Sequence, residues 1–344
     1  MSLFIHATNV NYGGGAILLN NLISSTKKDK DIVFHFDSRL KFNKRDVNFY
    51  KSFKPSFIAR FYAEYILWKS TNKFDKVICF GNLPPIFKLK AHTTLFIQNR
   101  FLLDNSYKSR LFTKFSLNLL INKIWLKLFY KNINMVIVQT PTMQKLVKNN
   151  LSDKIPIKIV TLADSYFNNK NSSSNAANKV NDHTSFIYVA SGALHKNHKN
   201  LINAWRMLAQ DGIFPTLKLT LNLDRVEDKD VYDWISIQSK INKLKIKNLG
   251  NLSFIKLKKE YLKSNALIYP SFTESLGLPL IEARELSIKV IAPELDYVRD
   301  ILNPDETFDP NSEVSIYRAV KRFLKKETKT VSINSFKDFL NIKR

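Results

Sequence analysis

Short apolar runs bounded by turn residues recur along the chain. Residues 2–10, 31–37 (DIVFHFD), 76–81 (KVICFG), 93–98 (TTLFIQ), 135–140 (MVIVQT) and 156–161 (PIKIVT) have the length and side-chain content of buried strands, and helical stretches separate most of them. This alternation predicts an α/β domain with a largely parallel sheet, whose ligands bind beyond the carboxyl ends of the strands. The pattern restarts at 186–189 (FIYV) and continues with strands at 217–223 (LKLTLNL), 246–250, 266–269 and 289–292. It predicts a second doubly wound domain. Between the two halves, 169–183 (NKNSSSNAANKVNDH) is Asn/Ser-rich and without apolar periodicity, and reads as a linker. The expected organisation is therefore a domain over 1–168, a linker, a domain over 184–325 and a helical, basic tail over 326–344 that carries Phe336, Phe339 and Leu340. Two such domains joined by a linker leave a cleft between them.

The stretch from Tyr269 to Ala283, YPSFTESLGLPLIEA, carries the densest candidate chemistry. The run Ala266–Tyr269 enters it as a strand, and Pro270 and Ser271 end that strand. Gly277 frees the backbone at a turn, and Pro279 marks the start of a helix with Leu280, Ile281 and Leu286 on its apolar face. A helix N-terminus presents N–H groups and partial positive charge, which suits a phosphate. Glu274 and Glu282 flank it, and carboxylates accept hydrogen bonds from hydroxyls. An anionic ligand bearing sugar hydroxyls would use every part of this stretch.

Three other places have related chemistry. Gly13, Gly14 and Gly15 lie between the first strand and an apolar helical pattern, either as a flexible connection or as backbone that approaches an anion. Their spacing is not that of the dinucleotide fingerprint. Gln98, Asn99 and Arg100 follow a buried strand, as a polar turn or as a polar cluster facing a cleft; three hydrogen-bonding side chains in a row favour the cluster. Lys196 follows a strand, near Gly192 and at the mouth of a helix, where a cation reaches a phosphate, with Lys199 next along that helix. His195 and His198 lack a third ligand at a recognisable spacing and read as structural. Asp228 and Asp230 read as a polar helix start rather than a metal site.

Composition narrows the partners. Lys and Arg number 54 against 29 Asp and Glu, a net charge of +25, which calls for an anionic partner or neighbourhood. No nucleic-acid-binding motif stands out, which leaves anionic lipid and phosphorylated small molecules. Two aromatic and basic stretches, Lys51 to Lys73 and Tyr107 to Tyr130, read either as domain helices with a solvated lysine rim or as helices in a bilayer interface; the net charge favours the bilayer. The single cysteine, Cys79, sits in an apolar run and reads as a core thiol. No signal peptide and no membrane span of about 20 apolar residues is evident, so the expected location is cytoplasmic, peripheral on the inner face of the cell membrane.

The segment from Glu274 to Glu282 resembles the glutamate–seven residues–glutamate motif of GT-B glycosyltransferases, specifically the retaining family 4 (glycosyl transferases group 1) type. His195-Lys196-Asn197 with Ala204-Trp205, Leu249-Gly250-Asn251-Leu252, the stretch Leu295 to Asp300, and Phe308-Asp309-Pro310 resemble further elements of that family. The resemblance covers about 185–325 with specific motifs and is looser before that. It implies two Rossmann-like domains facing a cleft, and transfer of a sugar from a nucleotide-diphosphate-sugar to a glycan or lipid-linked acceptor in bacterial surface polysaccharide synthesis. Glu274 would bond donor-sugar hydroxyls, and Glu282 the ribose. Ser275 and the backbone of Leu276, Gly277 and Leu278 would line the sugar and diphosphate. Lys196, helped by Lys199 or Arg100, would neutralise the diphosphate, and Gly13 to Gly15 would approach it from the other domain. Gln98 and Asn99 stand where many members carry an acceptor-side histidine. No metal or other cofactor is implied. The competing reading is a non-catalytic protein of this fold that binds anionic lipid or polysaccharide, against which the Glu274/Glu282 pair argues.

Overall fold

The computed structural model describes residues 1–27, 29–104, 114–151, 154–162 and 184–326, with side chains in the third stretch from 117 onward. The expected linker, the tail beyond 326 and the part of the second aromatic stretch before 117 lie outside the described residues. Contacts divide the chain into two compact units. One comprises Met1–Asn175, Thr273–Leu286 and Leu295–Leu302; the other comprises Ala176–Phe272, Ser287–Glu294 and Asn303–Arg344.

The first unit runs β1 (Leu3–Ala7), α1 (Gly13–Ser25), β2 (Ile32–Asp37), β3 (Phe49–Phe53), α2 (Phe57–Ser70), β4 (Lys76–Cys79), β5 (His92–Phe96), α3 (Lys114–Phe129), β6 (Met135–Val138), α4 (Pro141–Asn150) and β7 (Ile157–Ile159). Its seven strands pair in the order β3-β2-β1-β4-β5-β6-β7, all in parallel. The order reverses at β1, the switch point where open parallel sheets bind ligands. Leu18, Leu19 and Ile23 of α1 pack with Ile5, Phe34, Phe36 and Phe96 in one core. Leu67 of α2, Leu126 of α3 and Met143 and Val147 of α4 pack with Val77, Cys79, Leu95, Val136 and Val138 in the other. Helices thus cover both faces, which is why the central strands read as continuous apolar runs. Burial raises the Cys79 thiol well above its usual pKa, as expected of a core thiol.

The second unit runs β8 (Ser185–Tyr188), α5 (His198–Gln210), β9 (Thr216–Leu219), α6 (Val226–Ile241), β10 (Ile246–Asn248), α7 (Phe254–Leu262) and β11 (Ala266–Ile268). After β11 the chain passes through α8 (Leu278–Glu285), which contacts group with the first unit. It returns as β12 (Lys289–Pro293), passes α9 (Asp296–Arg299), also grouped with the first unit, and ends its described part as β13 (Glu306–Phe308) and α10 (Glu313–Phe323). The sheet order is β10-β9-β8-β11-β12-β13, again wholly parallel. Trp205 of α5 packs edge-on against Phe186, and Lys321 of α10 reaches Asp211 past α5 at 2.7 Å.

Some elements depart from the sequence reading. Residues 49–53 form an edge strand that the aromatic-basic pattern concealed, so Lys51 and Phe53 are not helical. The helix begins only after Pro55, where the Ser56 side chain accepts from the Ala59 N–H. The glycine triplet is the first turn of α1 rather than a loop, with only Gly13 at positive φ, +69°. Residues 220–223 leave the β9 ladder, and Asn248 clasps that exit by accepting from Leu221 N at 2.9 Å and donating to its O at 3.0 Å.

A polar network is buried under α2. His6 Nδ1 lies 3.2 Å from His35 Nδ1, and His6 Nε2 lies 3.1 Å from Glu64 Oε1; Glu64 Oε2 accepts from the Ile86 N–H. With Glu64 accepting from His6, the other His6 nitrogen accepts from His35. Burial, aided by His6 and Lys51, lowers the His35 pKa to about 3. A histidine depressed in the folded state stabilises above its unfolded pKa of about 6.5, and that stability is lost as pH falls toward 3, by up to ~1.4 kcal/mol per pH unit. Thermal melts from pH 7.5 to 5 should therefore show a falling Tm, and His35→Gln should flatten that slope relative to wild type.

Candidate functional site

The strand-end loops of the second unit hold Lys196 by a set of local bonds. After β8 the chain makes a tight turn at Ser191-Gly192. A Cβ on Gly192 would lie 2.6 Å from the Glu227 carbonyl oxygen, so only glycine lets the turn pass the start of α6. The Gly192 N–H donates at 2.7 Å to Oδ1 of Asp228, whose other oxygen accepts from Asn222 N at 2.9 Å. The buried Asp228 thus ties two strand ends together. The sequence read it as a polar helix start, and it is one, with this role in addition. It also gives Gly192 a packing purpose apart from phosphate.

A single 3₁₀ turn, Leu194–Lys196, leads into Asn197, which holds φ 59° before α5 begins. The Asn197 side-chain amide donates to Pro270 O at 3.0 Å and Pro310 O at 2.7 Å, and Asn200 adds a bond to Pro310 O at 2.9 Å. The carbonyl of His195 accepts from Phe272 N at 2.8 Å, and that of Lys196 accepts from the Tyr188 hydroxyl at 2.5 Å. These bonds tie the turn around Lys196 to β8, to the loop after β11 and to the turn after β13. The half-buried side chain runs over the Tyr269 ring, with Nζ 5.9 Å from its centroid. Lys199 is exposed on the first turn of α5.

The two histidines of this loop do not make a metal pair. His198 is buried against the Tyr188 ring at 4.9 Å between centroids, and burial, together with Lys196 and His195, lowers its pKa to about 3. Its Nδ1 has no hydrogen-bond partner. Among the described residues no three His, Cys, Asp or Glu side chains gather as a metal site.

The glutamate stretch belongs by contacts to the first unit. Gly277, at φ 73°, precedes α8, and Pro279 takes its second position. Glu274 and Glu282 are half-buried, and Leu276 is buried. Ser275 Oγ accepts from the Arg100 N–H at 3.0 Å. Leu278 packs on the core around α1 and lies 3.9 Å from where a Gly14 Cβ would stand. A Cβ on Gly15 would come within 3.4 Å of Gln98 Oε1. Asp300 accepts from Thr142 N at 3.0 Å at the start of α4. Residues predicted separately from the sequence (Gly14, Gly15, Gln98, Arg100, Ser275 and Leu278) are thus brought together here.

The same unit has a cavity of about 500 Å³ at the carboxyl ends of β1 to β5, lined among others by Asn9, Asp37, Arg39, Arg60, Asn82, Asn99 and Trp125. Of the acceptor-side candidates only Asn99 lines it. The Gln98 amide donates to Phe80 O at 3.0 Å, and the Arg100 guanidinium pairs with Asp104 at 2.9 Å. Asn82, at φ 68°, was missed; its side-chain oxygen accepts from the backbone of both Gln98 and Asn99, at 2.5 and 2.8 Å. Asp37 is held by Arg39 through Nε at 2.9 Å and Nη2 at 2.6 Å. The Arg60 guanidinium lies 4.6 Å from the Trp125 ring centroid, and its buried Nε has no partner. The signal that could have found Asp37, Arg39 and Asn82 is their position at or directly after the ends of predicted strands, whereas Arg60 lies within α2 and carries no such signal.

Comparison with known proteins adds a partial family match and a fold. Residues 169–336 match the family model described as glycosyl transferases group 1. A 92-residue segment is 33% identical to the O-antigen chain mannosyltransferase RfbU of Salmonella typhimurium and covers 25% of this chain and 26% of that protein, so the match spans about a quarter of the relative's length. Among solved structures, the sucrose-phosphate synthase of Thermosynechococcus elongatus superposes with a TM-score of 0.68 at 13% identity, over 94% of this chain and 90% of that one. Anabaena HepE, solved with UDP and glucose, gives 0.68 at 12% identity over 94% and 90%. The lipopolysaccharide outer core galactosyltransferase WaaB gives 0.62 at 16% over 96% and 92%. Two parallel sheets with interleaved helices are thus the GT-B fold, and residues 169–336, just under half of the chain, are similar to the glycosyl transferases group 1 family.

Proposed function

We propose that the protein is a retaining glycosyltransferase of family 4 type. It moves a sugar from a nucleotide-diphosphate-sugar to a glycan or lipid-linked acceptor in the synthesis of a bacterial surface polysaccharide such as an O-antigen, at the inner face of the cell membrane. The group 1 match over 169–336 carries this reading. The O-antigen mannosyltransferase relative and the UDP-bound structural neighbour support its acceptor and donor classes.

In the proposed reaction the anomeric carbon–oxygen bond to the diphosphate breaks as the acceptor oxygen bonds to that carbon on the same face. The acceptor's proton passes to an oxygen of the departing nucleoside diphosphate. Negative charge grows on that leaving group, and Lys196 is the cation assigned to meet it, where a preorganised charge is worth most. Lys199 and Gly13 to Gly15 are secondary donor contacts. Glu274 accepts from sugar hydroxyls and Glu282 from the ribose, while Ser275 and the backbone of Leu276, Gly277 and Leu278 line the donor. Asn99 faces the acceptor, and Gln98 and Arg100 buttress it. No metal is assigned a step, since Lys196 takes the charge a cation would otherwise meet.

Lys196→Ala and Glu274→Ala should each lower turnover by about 10²–10³-fold or more with unchanged circular dichroism. Near-normal turnover in either variant would refute the assignment. A thermal-shift screen with UDP, GDP, ADP and dTDP sugars should find one donor that raises Tm; no shift with any of them would sink the donor class.

Asn197 is a positioning residue, because it acts through Lys196. Asn197→Ala removes two buried bonds and puts alanine at positive φ, at a cost of about 2–4 kcal/mol. Asn197→Gly relieves the backbone part alone. If Asn197 positions Lys196, the glycine variant should regain much of the Tm and still show reduced kcat at saturating donor.

A further inference from the structure

Two neighbouring helices of the first unit turn apolar faces to solvent. On α2 the positions 57, 58, 61, 65 and 68 share one side, and Phe57 is 75% exposed, Ile58 85% and Trp68 49%. Phe61 and Trp68 both pack on Phe87, with ring centroids 5.8 and 5.9 Å apart, and Tyr65 continues the band at 6.1 Å from Trp68. On α3 the positions 117, 121, 124 and 128 form a second stripe, with Leu117 59% and Leu128 67% exposed. The contact of Arg60 with Trp125 joins the two helices. Each is amphipathic in the wrong sense for a soluble domain, because its inner face is already satisfied by Leu67 or Leu126 in the core. An exposed apolar area of this extent marks an interaction surface.

Charge selects the occupant. Between Phe49 and Phe74 the only acidic residue is Glu64, which is buried, and the sequence of α3 has none. Lys51, Lys54, Lys69 and Lys73 are exposed beside the α2 band, as is Lys127 on α3. Aromatic and aliphatic side chains among lysines, with no carboxylate on the outer face of either helix, suit an interface of anionic lipid headgroups over acyl chains. A second copy of the chain would bring these cations against their own kind.

We infer that the outer faces of α2 and α3 form a seat on an anionic bilayer, and that the strand-end cavity opens within this apolar rim. Phe57 and Ile121 are exposed and also line the cavity, whose lining includes Arg39, Arg60 and Lys54. An amphiphile could keep its chain in the bilayer while its anionic head enters among these cations. The route to the cavity rests on the glycosyltransferase reading with a lipid-linked acceptor. The seat itself does not.

The test uses the full chain and vesicles of phosphatidylcholine, with or without 30% phosphatidylglycerol as the probe. Wild type should co-sediment with the anionic vesicles, and binding should weaken between 50 and 300 mM NaCl. Ile58→Ser/Trp68→Ser and Leu117→Ser/Leu128→Ser, at exposed positions outside the cavity lining, should each weaken binding by about tenfold or more. Both should keep the wild-type circular dichroism and the donor-induced thermal shift. Absence of wild-type binding, or variants that bind like wild type, would overturn the inference. So would a wild-type dimer, dissociated by the same substitutions, that ignores vesicles. The two readings fail separately: a lost donor shift with intact vesicle binding counts against the enzyme reading, and lost vesicle binding with an intact shift counts against the seat.

Discussion

Every strand pairing in both sheets is parallel, and a parallel pair cannot be closed by a tight hairpin. Each strand must hand the chain to a crossover that returns to the end where the strands begin, so within each sheet all carboxyl ends open on one side. Almost every polar residue of interest follows from that. In the second unit, Lys196, Asn197, Phe272 and Pro310 come from loops after three different strands and meet because those strands run the same way. In the first unit, Asn9, Asp37, Asn82 and Asn99 follow β1, β2, β4 and β5 and line one cavity. The loops are held by side-chain amides on backbone carbonyls and N–H groups, a cheap way to satisfy buried backbone where no ladder continues.

The same constraint explains what could be read from the sequence. The central strands are buried on both faces, so their apolar runs are unbroken and their order along the chain is plain. Edge strand β3 is exposed over four of its five residues and carries Lys51, so its pattern merged with the helix that follows. The motif Glu274 to Glu282 was legible because its chemistry is local: a strand, a turn requiring Gly277 and a helix start. Asp228, Asn82 and Arg60 were not legible as site residues, because each acts on backbone or rings distant in sequence. Asp228 reaches 36 residues back to Gly192, and Asn82 reaches 16 and 17 residues forward to Gln98 and Asn99. Single-residue type at such positions has no periodicity to betray it. The glycine triplet was visible, but its place in the first turn of α1, beside Leu278 and Gln98, was not.

The charge of the chain is unevenly used. Net +25 would be a burden if spread over the whole fold, since like charges repel in the compact state. Where the described structure puts cations inside, it pairs them or lays them on rings: Arg100 with Asp104, Lys321 with Asp211 and Arg60 on Trp125. Lys51, Lys54, Lys69, Lys73 and Lys127 are exposed, and they lie next to the apolar faces that a soluble domain would bury. Charge and hydrophobicity there point outward together. That combination is the reverse of what folding alone requires.

His198 shows how the Lys196 loop limits its own charge. A protonated imidazole packed behind Lys196 would add a second cation in a desolvated place, and burial together with Lys196 and His195 holds it neutral down to about pH 3. A neutral ring can stack on Tyr188, whose hydroxyl fixes the Lys196 carbonyl. A charged ring would repel Lys196 and weaken that stack. The neutral histidine therefore adds no second charge behind Lys196, whose carbonyl is fixed by the Tyr188 hydroxyl at the end of β8. Replacing His198 by lysine or arginine would break that arrangement, because the buried charge would push against Lys196.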